Sequence, residues 1–293
     1  MRSKAAIDDR DGTAPPAGAA AGAAAGRQLA AGLRVALFSG NYNCVRDGAN
    51  RALNRLVRFL LDQGAAVRIY SPTTRVPAFE PTGDLVSIPS FGIPTRREYR
   101  IAPRLTNHAR RDIRQFAPTH FHLSAPDWLG TGAQAFAREL GVPVVISHHA
   151  EFLRYLEYYG LSALAGWMQR RVHRFYSRAD CLLVPNQPIA DALARALPNA
   201  NIGIWGRGVD RTVFSPERRD MEWRRALGYS DEEAVVLFFG RIVVEKGLDM
   251  FAAAVDELRA RGHKVTPLVV GDGPALGQFR ERLGEVRATG HLE

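Results

Sequence analysis

The stretch that decides the fold is Ala234–Gly262, AVVLFFGRIVVEKGLDMFAAAVDELRARG. Val235, Val236, Leu237, Phe238 and Phe239 form a continuous run of β-branched and aromatic residues, the pattern of a strand covered on both faces. Gly240 ends it. Leu248, Phe251, Ala252, Val255 and Leu258 then recur at the spacing of one helix face, and Gly262 stops that helix. Between strand and helix lie Arg241 and Lys246. Backbone N–H groups and the helix dipole favour an anion there. Two added cations suit a charge denser than one carboxylate, such as a diphosphate. The alternative is a pair of solvated basic residues in a surface turn.

Around this unit the chain has 293 residues, more than one domain usually holds, so two domains are expected. Hydrophobic residues make up 46%, enough for real cores, and no window reaches the apolar length of a membrane span. The two cysteines, Cys44 and Cys181, make no disulfide framework, and a reducing cytoplasm suits them. The formal charge of +9, from 39 Lys+Arg against 30 Asp+Glu, suits an anionic partner: a nucleotide, a nucleic acid or an anionic lipid surface. Nucleic acid is set aside, because the arginines are scattered over helices and no RNP-like or helix-turn-helix pattern stands out. Residues 1–32, with the Ala/Gly-rich run APPAGAAAGAAAG, read as a disordered tail rather than a signal peptide.

LRVALFSG, from Leu33, is a strand ending in Gly40. The following helix carries Ala49, Leu53, Leu56, Val57, Leu60 and Leu61 on one face, with Asp47 to cap it and Gly64 to end it. AAVRIYSP completes a β-loop-α-β unit, the opening of a doubly wound parallel sheet. The first loop lacks the G-x-G-x-x-G spacing of a dinucleotide site, yet Gly48 at the helix start permits close backbone approach by a ligand, or is a simple turn glycine. The arginines between Arg96 and Arg114 read as a partly helical basic segment, either solvated or lying on anionic lipid. His120 and His122 alternate along a strand without a third ligand nearby, so no metal is expected. Ser147, His148, His149 and Glu151 lie just past the strand VPVVI, at the edge where open α/β sheets bind ligands.

Several segments together resemble retaining glycosyltransferases of family 4. They are DGANRALNRLVRFLLDQG, SHHAEFLRYLEYYG, RADCLLVPN, WGRGVDRTVFSP, FFGRIVVEKGLD and VVGDGP, in family order. The similarity is greatest to the branch of GDP-mannose-dependent α-mannosyltransferases and sulfoquinovosyl-lipid synthases. It implies an α/β protein of GT-B architecture: an N-terminal acceptor-side Rossmann-like domain over 33–212 and an incomplete C-terminal nucleotide-sugar domain over 213–293. Arg241 and Lys246 fall on the pair that grips the donor diphosphate, and His149, better than His148, on the histidine near the transferred sugar. Gly48 falls in the loop facing donor phosphate, and Asn43, Asp127 and Glu151 lie on the acceptor side. Arg207 and Asp210, in the joining segment, read as structural. The resemblance implies no cofactor and no metal: the donor, GDP-mannose or a UDP-sugar, is the substrate, and fixed cations stabilise the leaving diphosphate. The acceptor is a lipid or a saccharide, and an anionic membrane surface is an expected partner, with the protein cytoplasmic and peripheral.

The family's E-x7-E motif has a literal match at Glu285 and Glu293 without the F-G pair of its context, and is rejected. The chain is therefore expected to be truncated, weak or inactive alone, and to expose apolar sheet in its second domain. The alternative function is a catalytically incomplete GT-B fragment that binds nucleotide or membrane.

Overall fold

The computed structural model describes residues 28–93, 96–149, 165–284 and 286–290. Glu151 and the segment FLRYLEYYG lie outside them, as do Glu293 and most of the expected tail. The described residues divide into two compact units, one of 28–149 with 170–206 and one of 165–169 with 207–290.

In the first unit, seven parallel strands run β1 (Arg34–Phe38), β2 (Ala66–Ser71), β3 (Asp84–Ser87), β6 (His120–Leu123), β7 (Val144–Ser147), β8 (Cys181–Val184) and β9 (Ile202–Ile204). Their spatial order is β3-β2-β1-β6-β7-β8-β9. The chain winds outward from β1 in one direction and then, from β6, in the other. That reversal places a topological switch point between β1 and β6, where loops part and leave a crevice. An antiparallel pair, β4 (Phe91–Ile93) and β5 (Arg96–Ile101), follows β3.

Helix α1 (Gly48–Asp62) is capped by Asp47, whose side chain accepts from Asn50 N, as the sequence implied. Its buried face is rotated from the expected one. Asn50, Ala52, Leu53, Asn54 and Val57 are buried, whereas Leu61 is exposed. The reason is hydrogen bonding: Asn54 Nδ2 donates to Tyr42 O, Asn54 Oδ1 accepts from Thr82 N at 2.8 Å, and Asn50 Nδ2 donates to Val45 O. These amides satisfy loop backbone that would otherwise be buried and unpaired. Leu53 and Val57 then close over Val35, Leu37, Val67 and Ile69. The residues just before Leu33, read as tail, are tied down at the end of α1, with Ala30 N donating to Gln63 O at 3.0 Å.

The basic segment resolves into strand β5 and helix α2 (Asn107–Phe116). Arg110 and Arg114 of α2 lie over the Phe136 ring, and Arg110 also pairs with Glu139. These two cations are engaged within the unit. Helices α3 (Trp128–Leu140), α4 (Ala165–Tyr176) and α5 (Gln187–Ala196) follow, α3 capped by Asp127 and α5 by Asn186.

The second unit holds α6 (Met221–Ala226), a parallel sheet ordered β10 (Ala234–Phe239), β11 (Val265–Val270), β12 (Arg287–Gly290), and helices α7 (Leu248–Ala260) and α8 (Leu276–Leu283). Val236 and Phe238 pack with Leu248, Ala252, Val255, Val269 and Phe279. The expectation that β10 is covered on both faces fails. Leu237 is 49% and Phe239 73% exposed, because among the described residues the helices pack against one face of β10, the face that carries Val236 and Phe238.

Candidate active site

The candidate side chains fall into two sets, one at the C-terminal sheet edge of each unit. In the second, residues 240–247 link β10 to α7, with a 3-10 turn at Val244–Lys246. Gly247, in left-handed conformation at φ 72°, precedes α7 and provides no side-chain cap. The first N–H groups of α7 therefore lack a side-chain cap, which favours an anion. Arg241 and Lys246 are both exposed on this loop, whereas Ile242 between them is fully buried and anchors it.

The anchoring is backbone to backbone. Ile242 N donates to Asp272 O at 2.9 Å and Ala275 N to Ile242 O at 3.2 Å. A Cβ on Gly271 would collide with the carbonyl of Gly240, and one on Gly273 with that of Ile242. The GDGP segment at Gly271–Pro274 thus clamps the cationic loop, a role that its place among the family-like segments did not reveal. Its signal was two glycines flanking Asp272 directly after a buried strand.

In the first unit, the loops after β1 and β6 flank the switch point. Asp127 caps α3 through Oδ1, which accepts from Gly130 N at 2.6 Å, and a Cβ on Gly40 would come within 2.6 Å of Oδ2. Burial pushes the Asp127 carboxyl up to about 6, against the lowering effect of the Gly130 and Leu129 N–H groups. Asn43 is buried: its Nδ2 donates to Phe79 O at 3.3 Å, and its Oδ1 has no hydrogen-bond partner among the described residues. Gly48 is the first residue of α1, and nothing lies within 4 Å of the position its Cβ would take. Asn41 pairs with the backbone of Arg100 through both amide atoms, tying the β4–β5 hairpin to this edge.

The two adjacent histidines part company. Side chains alternate along an extended chain. His148 turns to α4, where Nδ1 meets the Tyr176 hydroxyl at 2.9 Å. His149 lies on the other side, with Nε2 at 2.7 Å from Ser147 Oγ and its ring edge-on to Trp205, centroids 5.7 Å apart. His122 reaches the same hydroxyl, Nε2 to Oγ 2.9 Å, and burial lowers its pKa to about 4. Ser147 was placed at the ligand edge without a role, and His122 and Trp205 were not singled out as site residues. His122 was weighed only as a metal ligand, and Trp205 lay in a segment read as a linker. Among the described residues, no group of three His, Cys, Asp or Glu could hold a metal ion, and no helix is long and apolar enough to cross a membrane.

A doubly wound parallel sheet with functional loops on one edge, joined to a second parallel α/β unit, defines the GT-B class, and comparison with known proteins agrees. Residues 46–213 match the model of Glycosyltransferase Family 4. The chain belongs to that family. It is 30% identical over 246 residues to the sulfoquinovosyl transferase SQD2 of Arabidopsis thaliana, covering 82% of this chain and 47% of that protein. It is also 30% identical over 275 residues to a GDP-mannose-dependent alpha-mannosyltransferase of Mycolicibacterium smegmatis, covering 89% of this chain and 68% of that one. Among solved structures, Anabaena Alr3699/HepE in complex with UDP and glucose superposes with a TM-score of 0.61 at 17% identity, over 89% of this chain and 70% of that one. The chain thus spans about half to two thirds of the length of these curated relatives.

Proposed function

We propose that this protein transfers a hexosyl group, mannose, from a nucleotide-diphosphate sugar to a hydroxyl of a lipid or saccharide, with retention of configuration and without a metal ion or other cofactor. The observation that carries the reading is the clamped loop 240–247, which presents Arg241 and Lys246 beside the uncapped N-terminus of α7. A diphosphate leaves only when its growing charge is neutralised, and fixed cations with helix N–H groups supply that without reorganising. His149 is assigned to the transferred sugar, Gly48 to the donor phosphate, and Asn43 and Asp127 to the acceptor side. The name of the M. smegmatis relative supports mannose and GDP, and family membership supports retention. The exposed Arg104, Arg111, Arg170, Arg171, Arg174 and Arg178 suit a peripheral position on the anionic cytoplasmic leaflet.

Calorimetry with GDP, UDP and ADP on the chain, on Arg241→Ala and on Lys246→Ala tests the diphosphate assignment. A charge-assisted contact contributes about 1.5–3 kcal/mol, so each variant should weaken nucleotide binding by about 10- to 100-fold. Unchanged affinity in both variants would remove the diphosphate from this loop. Binding without transfer from GDP-mannose would favour the binding-module reading.

A further inference from the structure

The cap of α3 uses one oxygen of Asp127 and leaves the other at the switch point between β1 and β6. Oδ1 accepts from Gly130 N at 2.6 Å. Oδ2 lies over Gly40, the second residue past β1, 2.6 Å from where a Cβ on that glycine would stand. Gly40 has no left-handed φ that would call for glycine, and the Asp127 carboxyl is all that its Cβ would meet within 4 Å beyond its chain neighbours. Glycine at this position therefore makes room for Oδ2. The N–H groups of Gly130 and Leu129, both in the first turn of α3, lower the carboxyl's pKa, while the described residues send it no side-chain donor and no cation. Asn41, next to Gly40, has both amide atoms engaged with the backbone of Arg100.

Capping alone does not explain a carboxylate here. Serine, threonine or asparagine caps a helix N-terminus as well and stays neutral. A carboxylate withdrawn from water without a cation is costly by comparison. Burial pushes this one up to about 6, so at neutral pH the fold carries a desolvated charge that the cap does not need. An ionised carboxylate oxygen only accepts hydrogen bonds, and from a hydroxyl it accepts a short, strong one. It repels a phosphate or a second carboxylate. At the crevice where open α/β sheets bind ligands, such an oxygen selects a neutral group that bears a hydroxyl.

We infer that Asp127 is a specificity-determining residue, whose Oδ2 accepts a hydrogen bond from a hydroxyl of a neutral polyol acceptor, either a saccharide or the uncharged head of a lipid. This rests on the proposed transfer reaction and on the acceptor lying at this edge. Gly130 N–H holds the carboxyl in place, because turning Oδ2 away would break the cap at Oδ1. An acceptor that also bears an anionic group has to keep that group away from Asp127.

The side-chain carboxyl carbon of Asp127 and the amide of Gly130 report on the site by NMR, on the whole chain at pH 8 with GDP present. Three probes are titrated: methyl α-D-mannopyranoside, the 6-phosphate of that glycoside, and phosphatidylcholine nanodiscs carrying diacylglycerol. The expected result is a saturable shift of both signals with the neutral saccharide or with the diacylglycerol, which tells the two sources apart, and weaker binding of the 6-phosphate than of the neutral glycoside. Asp127→Asn keeps the cap and removes the charge, so the probe that binds the parent should bind it about 10-fold more weakly. Gly40→Ala crowds Oδ2 and should weaken the same probe. Silence at Asp127 with every probe, a 6-phosphate that binds as tightly as the neutral glycoside, or an Asp127→Asn chain that binds like the parent would each overturn the inference. Should the asparagine variant fail to fold, the shifts and the phosphate comparison in the parent still decide. GDP separates this inference from the transfer reading. A shift at Asp127 in a chain that takes up no nucleotide would sink the reading and leave the hydroxyl site standing, and GDP binding lost in Arg241→Ala beside a silent Asp127 would do the reverse.

Discussion

Strands β1 and β10 open the two units and look alike in sequence, RVALF and AVVLFF, yet their surroundings differ. In β1, Ala36 and Leu37 are completely buried and Phe38 is 1% exposed. In β10, Leu237 and Phe239 are 49% and 73% exposed. β1 lies between β2 and β6, with α1 on one face and Phe38 stacked between Tyr70 and Phe121 on the other. Among the described residues, β10 pairs with β11 alone and meets α7 and α8 on one face. An apolar run says that a strand can be buried on both faces. Its place in the sheet decides whether it is.

The largest effect should separate these strands. Leu37→Ala removes a fully buried side chain from a packed layer and should destabilise the first unit by about 2–5 kcal/mol. Leu237→Ala, half exposed at the start, should cost less than about 1 kcal/mol. Urea unfolding of both variants checks this, and equal losses would break the comparison.

A smaller contrast concerns glycines at the two functional edges. Gly271, at φ 138° with the Gly240 carbonyl where a Cβ would go, has no room for alanine. Gly271→Ala should cost at least about 1–3 kcal/mol and loosen the cationic loop. Gly48→Ala meets open space at the start of a helix and should leave the stability within about 0.5 kcal/mol of the parent. On the proposed reading, Gly48→Ala weakens donor binding all the same, because the open space is the ligand's. Melting and calorimetry on the same samples separate the two glycines, and a Gly48 variant that both melts and binds like the parent would make it a turn residue.

What the sequence made legible were features set by neighbours along the chain. The caps at Asp47 and Asn186, the strand–loop–helix around Arg241, and the parallel class all follow from local spacing. What it hid depends on partners distant in sequence. Asn50 and Asn54 are buried because they serve the loops at 42–45 and 82, which no helical periodicity shows. Arg110 and Arg114 looked available to lipid until Phe136 was found beneath them. His122 and Ser147 meet only because β6 and β7 pair in one register. Trp205 reaches the rings of His122 and His149 from the far side of the sheet's sequence order, after β9.

The smallest expected effect is electrostatic and sharpens the same contrast, since His122 and Asp127, both shifted by burial within the range from about 4 to 6.5, lie in the first unit. His122 is lowered from 6.5 to about 4 by burial, so on acidification the unfolded chain takes the proton first. Its contribution to stability is present above about pH 6.5 and is lost as the pH falls towards 4. Asp127 is raised from 3.8 to about 6 by burial, so the folded chain takes that proton first, and stability is gained as the pH falls from about 6 towards 4. The two slopes oppose each other over the same window. In the second unit, Asp231 and Glu233 are lowered by their hydrogen bonds to Arg225 and Thr266, but Asp231 is exposed and Glu233 only partly covered, so both should matter little. Asp127→Asn keeps the α3 cap, because an amide oxygen can accept from Gly130 N, and removes one slope. Its urea midpoint should therefore fall more steeply than the parent's between pH 6 and 4.5. His122→Gln should do the reverse and hold its midpoint, or raise it, on acidification. If both variants track the parent across that range, neither buried group carries the pH response, and the electrostatic half of the contrast between the units is lost.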